Sequence, residues 1–225
     1  PSKRKASPMK TLKPILLLIA IVAGAILQNS AASARDIQTA VFAGGCFWCV
    51  ESDFDHVKGV IETTSGYTGG TTKNPTYKQV TKGGTGHYES VRIKFDADVV
   101  TYRELADIFW RTIDVFDAGG QFCDRGDSYR AAVFTNGDAQ KADVTASKAA
   151  AEGVLGRKFA TKIVNATTFY PAEGYHQNYY LGTNRVLTRF GYVKQADAYK
   201  SYRKGCGRDA RVKAIWGKSA PFAGS

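Results

Sequence analysis

Hydrophobic and polar residues alternate strictly along residues 89–96, where Val91, Ile93 and Phe95 share one face. This period of two predicts a half-buried strand. Within residues 46–57 the apolar residues recur at helical spacing instead. Thr101 and Glu104 form a capping box ahead of another stripe of apolar residues at helical spacing. The remaining predicted strands cover residues 39–43, 60–64, 129–135 and 158–168, and an Ala-rich helix covers residues 138–155.

Three stretches lack a regular period. Residues 65–86 and 117–127 are rich in glycine and turn-forming residues, which predicts two long loops. Beyond Pro171 the residues Tyr, Gly and Lys dominate, so we expect an irregular C-terminal tail. Several connections between strands are too short to hold crossover helices. We therefore predict an α+β fold, a two-layer sandwich with a mixed β-sheet and a ferredoxin-like core, rather than a doubly wound parallel sheet.

Residues 10–34 have the order of a secretory signal peptide. Lys10 and Lys13 precede an apolar run over residues 15–27, and the small-residue motif Ala32-Ser33-Ala34 follows it. The run has 13 residues, fewer than the ~20 that span a bilayer as a helix. We expect cleavage after Ala34 and a periplasmic or secreted protein. The alternative is a membrane tether formed by residues 15–27.

The composition is that of an ordinary globular protein, with 44% hydrophobic and 23% charged residues among 225. The net charge is +11, but five basic residues and no acidic ones lie in 1–34, so residues 35–225 carry +6. They contain no long basic tract that would bind nucleic acid. Four cysteines are too few to hold this chain together as a disulfide scaffold. We expect an upstream extension plus signal peptide over 1–34, and a single domain with a mobile C-terminal segment over 35–225.

Cys46 follows a predicted strand and two glycines, and it opens a predicted helix. Such a turn suits a nucleophile, because the dipole and free N–H groups of a helix N-terminus lower a thiol pKa. The same cysteine could instead be a buried, inert core residue. With Cys49 it forms a C-x-x-C pair, as in thioredoxin-like sites, although the flanking residues do not fit that motif. Zinc is disfavoured because Cys123, Cys206 and the three histidines are scattered along the chain.

The segment Gly45–Glu51 resembles the active-site signature of the A-type peptide methionine sulfoxide reductases. Six further motifs match that family in the same order, at residues 65–70, 74–77, 85–89, 124–130, 175–177 and 206–209. Each motif is weak alone, but together they cover almost all of residues 39–217. The resemblance implies thiol-dependent reduction of the S epimer of methionine sulfoxide to methionine, and thereby the repair of oxidised proteins.

The resemblance also implies a role for each matched side chain. Cys46 would attack the sulfoxide and become a sulfenic acid. Glu89, kept neutral by burial, would protonate the sulfoxide oxygen. Phe47 and Trp48 would form an apolar pocket for the methyl group of the substrate. Tyr77 and Tyr129 would donate hydrogen bonds to the sulfoxide oxygen. Asp124 would organise the polar side of the substrate-binding site.

A C-terminal cysteine commonly resolves the sulfenic acid in this family, which gives Cys206 that role. Cys49 and Cys123 are additional redox candidates, because either could resolve, relay or be structural. The resemblance implies no bound cofactor and an external thioredoxin-like dithiol as reductant. The other expected partners are proteins or peptides that contain methionine sulfoxide; no nucleic acid is expected, and the chain is expected to be a monomer.

Two other functions compete with this one. A cysteine hydrolase would use His87 or His176 as its base, although we interpret both histidines as structural. A non-catalytic binding module would keep the fold without a reactive thiol.

Overall fold

The computed structural model describes residues 2–3, 35–189 and 191–224. The predicted apolar run 15–27 and the predicted cleavage site at Ala34 lie outside the described residues. Within the described part of the chain, no helix combines the length and the hydropathy needed to cross a membrane.

Strands and helices follow one another along the chain, with the following bounds. The strands are β1 (Ile37–Gly44), β2 (Val60–Thr68), β3 (Tyr88–Asp96), β4 (Gly120–Gln121), β5 (Asp124–Arg125), β6 (Ala131–Thr135), β7 (Lys162–Asn165), β8 (Tyr170–Pro171), β9 (Arg185–Thr188) and β10 (Gly191–Lys194). The α-helices are α1 (Phe47–Asp55), α2 (Tyr77–Lys82), α3 (Tyr102–Trp110), α4 (Gly137–Leu155), α5 (Gln195–Gly205) and α6 (Arg208–Trp216).

The main sheet has the strand order β7-β6-β1-β3-β2-β8. β1 lies between β3 and β6 and is antiparallel to both, whereas β6 and β7 are parallel. The succession β1-α1-β2-β3-α3-β6, with β1 and β3 at the centre, is the ferredoxin-like arrangement. The predicted α+β fold with a mixed sheet is therefore confirmed.

The core lies between this sheet and the helices α1, α3 and α4. Val91, Ile93 and Phe95 on β3 are completely buried, as their alternation predicts. Trp110 at the end of α3 is also buried, and its indole N–H donates a 2.8 Å hydrogen bond to Ser147 Oγ on α4. The helical layer thus supports the strand that carries the candidate acid.

Capping boxes begin two of the helices. The predicted box of Thr101 and Glu104 is present at the start of α3. A second box, formed by Thr76 and Gln79, begins α2 inside the stretch predicted to be a loop. The Thr-x-x-Gln spacing could have predicted this helix, and its first residue is Tyr77.

The C-terminal part is more regular than predicted, which corrects the expected irregular tail. Residues 195–205 form α5 and residues 208–216 form α6. Ala198, Tyr199 and Trp216 pack into hydrophobic clusters, and polar contacts add to this packing. Arg203 binds the buried Asp53 of α1 at 2.7 Å and Asp209 at 2.8 Å. Arg208 donates to the carbonyl oxygen of Gly44 at 3.2 Å. Charged residues between the few buried apolar ones obscure the apolar period on which the prediction relied.

Candidate active site

The turn before α1 fixes the position of Cys46. Gly45 has φ +82°, and a Cβ there would lie 2.5 Å from the Cβ of Gln121, so a side chain is strained at this position. The chain then enters α1 with Cys46 as the N-cap residue. Its carbonyl oxygen accepts hydrogen bonds from the N–H groups of Cys49 and Val50. Cys46 thus stands at the head of a helix, as its sequence context predicts.

Cys46 lines a small cavity of about 50 Å³, which holds a few water-sized groups. The structure places every side chain predicted for substrate binding around it, together with Glu89 and one further tyrosine. The full lining is Cys46, Phe47, Trp48, Tyr77, Glu89, Asp124, Tyr129 and Tyr202. A larger cleft of about 360 Å³ shares Trp48, Asp124 and Tyr202 with this cavity.

Glu89 is the buried carboxyl of the cavity, with 1% of its surface exposed. Its Oε2 accepts a 3.1 Å hydrogen bond from the N–H of Phe47, and its buried Oε1 has no hydrogen-bond partner among the described residues. Burial raises the pKa of Glu89 to about 8, although the bond from Phe47 opposes that shift. The carboxyl is therefore largely neutral at pH 7, and Oε1 is free to carry the proton.

Tyr77 and Tyr129 are the two predicted phenols among the residues that line the same cavity. Tyr77 begins α2, and its N–H donates to Glu173 Oε1 at 2.9 Å. Tyr129 ends the 3₁₀ turn that precedes β6. Burial raises the pKa of both phenols, and the charge of Glu89 raises it further. Both hydroxyl groups are therefore neutral hydrogen-bond donors at physiological pH.

The apolar wall of the cavity is held by aromatic contacts. The indole of Trp48 stacks on Tyr179, with ring centroids 3.8 Å apart and planes within 9°. Its N–H donates to Nδ1 of His176 at 3.2 Å. Burial lowers the pKa of His176 to about 4, so the neutral ring can accept this bond at neutral pH. Phe47 packs against the same imidazole, with centroids 5.1 Å apart.

The thiols of Cys46 and Cys49 lie in hydrogen-bonding contact. Burial raises the pKa of the Cys46 thiol well above its ordinary value, and nearby carboxylates raise it further. The lowered pKa predicted from the helix N-terminus was therefore wrong, because the thiol is only 5% exposed and burial disfavours its charged form. The hydrogen bond with Cys46 lowers the pKa of Cys49 instead, and Arg208 and Arg203 add to that effect.

Cys206 forms a disulfide with Cys123, with the two Cα atoms 4.9 Å apart. Cys46 and Cys49 are free and buried, whereas Cys123 is exposed. The structure thus holds an oxidised pair beside a reduced pair. Pairing of Cys206 with Cys46 during turnover stays a prediction.

Tyr202 is the cavity residue that the sequence did not reveal. It lies on α5, and its hydroxyl donates a hydrogen bond to Asp124 Oδ2. Its ring meets Trp48 edge-on, with centroids 6.2 Å apart. Ala198, Tyr202 and Cys206 recur at helical spacing, a weak signal that the charged residues between them obscured.

Neither candidate histidine lines the cavity. His87 accepts a hydrogen bond from the N–H of Gly70 at Nδ1, and its Nε2 lies 2.8 Å from the carbonyl oxygen of Thr72. His176 is held by Trp48. A hydrolase base must reach the thiol, so these partners favour the structural interpretation of both histidines.

A thiol buried beside a neutral carboxyl and two phenols, on a ferredoxin-like α+β domain, defines a cysteine-dependent enzyme. The family described as peptide methionine sulfoxide reductase matches residues 38–218. "Peptide methionine sulfoxide reductase MsrA 2" of Rhizobium meliloti is 48% identical over 193 residues, which cover 86% of this chain and 90% of the relative. "Peptide methionine sulfoxide reductase MsrA" of Bacillus subtilis is 44% identical over 182 residues, which cover 80% of this chain and 96% of the relative.

Solved structures show the same likeness. Reduced Mxr1 from Saccharomyces cerevisiae superposes with a TM-score of 0.61 and 30% identity, over 65% of this chain and 85% of the yeast chain. Methionine sulfoxide reductase A of Corynebacterium diphtheriae superposes with a TM-score of 0.59 and 26% identity, over 72% of this chain and 85% of its own. The chain belongs to the peptide methionine sulfoxide reductase family and is an oxidoreductase of the A type.

Proposed function

We propose that this enzyme reduces the S epimer of methionine sulfoxide in proteins and peptides, with Cys46 as nucleophile and Glu89 as acid. The cavity offers Phe47 and Trp48 to a methyl group, and Glu89 and two phenols to an oxygen. A chiral sulfur that satisfies both sets of contacts directs its remaining chain outward in one configuration only. The R epimer has to give up one set of contacts.

The observation that carries this proposal is the state of Glu89. One carboxyl oxygen is held by the N–H of Phe47, and the other is buried in the cavity without a partner. A sulfoxide oxygen is a strong hydrogen-bond acceptor that must gain a proton as the S–O bond breaks. A neutral carboxyl that faces the cavity can supply that proton.

The reductase step balances without an external proton. The Cys46 thiol loses its proton and attacks the sulfoxide sulfur, while Glu89 protonates the oxygen. The substrate S–O bond breaks, an S–O bond to Cys46 forms, and the thiol proton replaces the proton that Glu89 gave. The substrate sulfur gains two electrons and the Cys46 sulfur loses two, which leaves methionine and a Cys46 sulfenic acid.

We propose that Cys206 then resolves the sulfenic acid. Its thiol displaces water and forms a bond to Cys46, and the Cys123 thiol then attacks Cys206 and frees Cys46. The product is the Cys123–Cys206 disulfide beside a reduced Cys46, which is the pairing in the structure. A thioredoxin-like dithiol returns two electrons and two protons to that disulfide. Exposed Cys123 is accessible to a protein donor, whereas Cys46 is buried.

Cys49 is the second candidate for resolution, because its thiol already contacts Cys46. The two routes differ in the first disulfide that forms. Reduced enzyme is given one equivalent of substrate without reductant, its thiols are blocked, and its peptides are mapped over time. A 46–206 bond that gives way to 123–206 supports Cys206. A 46–49 bond, with normal cycling of Cys206→Ser, contradicts it.

The substrate proposal is tested with separate S and R epimers of one methionine sulfoxide peptide. We expect turnover of the S epimer only, and none by Cys46→Ser. Cys49→Ser, which changes the adjacent buried thiol, should still release one methionine from the S epimer. Comparable rates on both epimers would contradict the proposal.

We also propose that the enzyme works after export, in the periplasm or outside the cell. The order of basic, apolar and small residues over 10–34 supports this. The intact mass of protein taken from a periplasmic extract tests it. A chain that begins at Arg35 is expected, and a mass that retains residues 15–27 would favour a membrane tether.

A further inference from the structure

Two cross-links join the short β4–β5 hairpin to α5. The first is the Cys123–Cys206 disulfide, and the second is the hydrogen bond from Tyr202 to Asp124. Cys123 and Asp124 are neighbours in sequence. Tyr202 and Cys206 are one helical turn apart, because the N–H of Cys206 donates to the carbonyl oxygen of Tyr202 at 2.9 Å. The two cross-links are therefore adjacent at both ends.

The hydrogen-bonded pair forms part of the candidate active site, and the disulfide does not. Tyr202 and Asp124 both line the small cavity, and the ring of Tyr202 meets Trp48 edge-on. Cys123 lines only the adjoining cleft of about 360 Å³. A change at the disulfide can therefore reach the cavity through Tyr202, while the bridge itself stays outside it.

We propose that Tyr202 is a positioning residue that closes the wall of the sulfoxide cavity, and that the Cys123–Cys206 disulfide holds it there. The proposal rests on the proposed function, because a dithiol reductant opens this bridge in each cycle. Two electrons and two protons pass from the dithiol to the disulfide, and two thiols form. Tyr202 then loses the covalent constraint on its own turn of α5, which Arg203 still ties to Asp53.

Loss of this cross-link has two consequences. The cavity loses a constraint on its wall, so a smaller fraction of molecules is competent to bind substrate and the apparent affinity falls. The Cys206 thiol becomes free to approach Cys46 when a sulfenic acid forms there. One local event thus exchanges tight binding for access of the resolving thiol.

Binding to the Cys46→Ser variant of the full chain tests this without turnover. Titration calorimetry gives the Kd of an S-sulfoxide peptide before and after treatment with dithiothreitol. Counting free thiols, one before and three after, verifies the state of the bridge. We expect about tenfold weaker binding after reduction.

Further variants in the same background assign the effect to Tyr202. Tyr202→Phe should weaken binding about tenfold in the oxidised protein and abolish the difference between the two states. Cys123→Ser should bind with the reduced affinity whether or not dithiothreitol is present. Tyr180→Phe is the matched control, because it removes another phenol–carboxylate hydrogen bond, to Asp55 at 2.9 Å, outside the cavity. It should retain the full redox effect.

Two results would overturn the proposal. One is equal affinity of the Cys46→Ser protein for the peptide in its oxidised and reduced states. The other is an unchanged affinity when Tyr202→Phe is added to the oxidised Cys46→Ser protein. Failure of the proposed function gives a different result. If neither redox state prefers the S epimer to the R epimer, the substrate assignment is wrong. If the S epimer is preferred but the redox state has no effect, only the role of the disulfide is wrong.

Discussion

Replacement of Glu89 by glutamine should slow the reaction and stabilise the fold, because both effects come from one buried carboxyl. With a pKa of about 8 the group is roughly nine-tenths neutral at pH 7. Glutamine keeps a hydrogen-bond donor but has no proton to release. Methionine release in a single turnover should therefore fall by less than in Glu89→Ala, for which removal of a general acid predicts a loss of ~10²–10⁴.

The pH dependence gives a sharper test than the rate at one pH. Wild-type Glu89 loses its proton as the pH rises through about 8, whereas glutamine does not titrate. The ratio of the wild-type rate to the Glu89→Gln rate should therefore fall between pH 6 and pH 9.

Stability should move in the opposite direction. The ordinary carboxyl pKa is 4.5, against about 8 in the folded protein, so between these values the folded state holds a proton that the unfolded state has released. This contribution to stability is complete below pH 4.5 and is lost as the pH rises through 8. The free energy of unfolding of Glu89→Gln, relative to that of wild type, should therefore increase as the pH rises from 5 to 9, by at most about 5 kcal/mol. Urea unfolding at each pH measures this difference.

Glu51→Gln is the matched control for Glu89. Glu51 is also completely buried, and burial raises its pKa to about 7, but it does not line the cavity. Its replacement should change stability with pH in the same direction without altering the pH dependence of methionine release. The acid assignment is refuted if Glu89→Ala releases methionine at the wild-type rate, or if the wild-type to glutamine ratio is constant with pH.

Three further predictions concern the surroundings of Cys46. Arg203→Met leaves the carboxylate of Asp53, which is 3% exposed, without its main partner, and should cost ~3–5 kcal/mol in urea unfolding. Arg125→Met breaks an ion pair whose arginine is 55% exposed, and should change the free energy of unfolding far less. Gly45→Ala should slow methionine release, because its Cβ would meet Gln121, whereas Gly83→Ala has a similar φ of +88° but open space and should not. Fully reduced enzyme without external reductant should release about two methionines per chain, and Cys123→Ser about one, because Cys123 frees Cys46 from Cys206 in the proposed relay. Equal yields would contradict this relay.

The part of the fold that depends on apolar periodicity could be predicted from the sequence. The alternation of Val91, Ile93 and Phe95 gave β3, and the Thr101–Glu104 box gave α3, because burial of these faces and capping are local effects. α5 was missed because Arg203 joins it through ion pairs to Asp53 on α1 and Asp209 on α6. An ion pair between residues 150 positions apart leaves no periodic trace in either segment.

The residues of the candidate site likewise divide into those that the sequence predicts and those that it does not. Cys46 and Glu89 belong to short motifs whose spacing survives in the sequence, so resemblance to a family was enough to select them. Tyr202 enters the cavity from a helix whose packing the sequence did not predict, and its hydrogen-bond partner Asp124 is 78 positions away along the chain. The raised pKa of Cys46 was missed for a related reason, because desolvation depends on everything that packs around a group.

Burial of Cys46 is consistent with the proposed chemistry even though it raises the pKa of the thiol. A thiolate is the form that oxidants attack, so a protonated and buried thiol is protected while no substrate is bound. In the proposed chemistry the substrate brings its own activation, because protonation of its oxygen by Glu89 would make the sulfur electrophilic only inside the cavity. Cys49, held against Cys46 with a lowered pKa, can accept the thiol's hydrogen bond as the attack begins. The acid and the neighbouring thiol can thus make Cys46 reactive toward a sulfoxide without making it reactive in the resting enzyme.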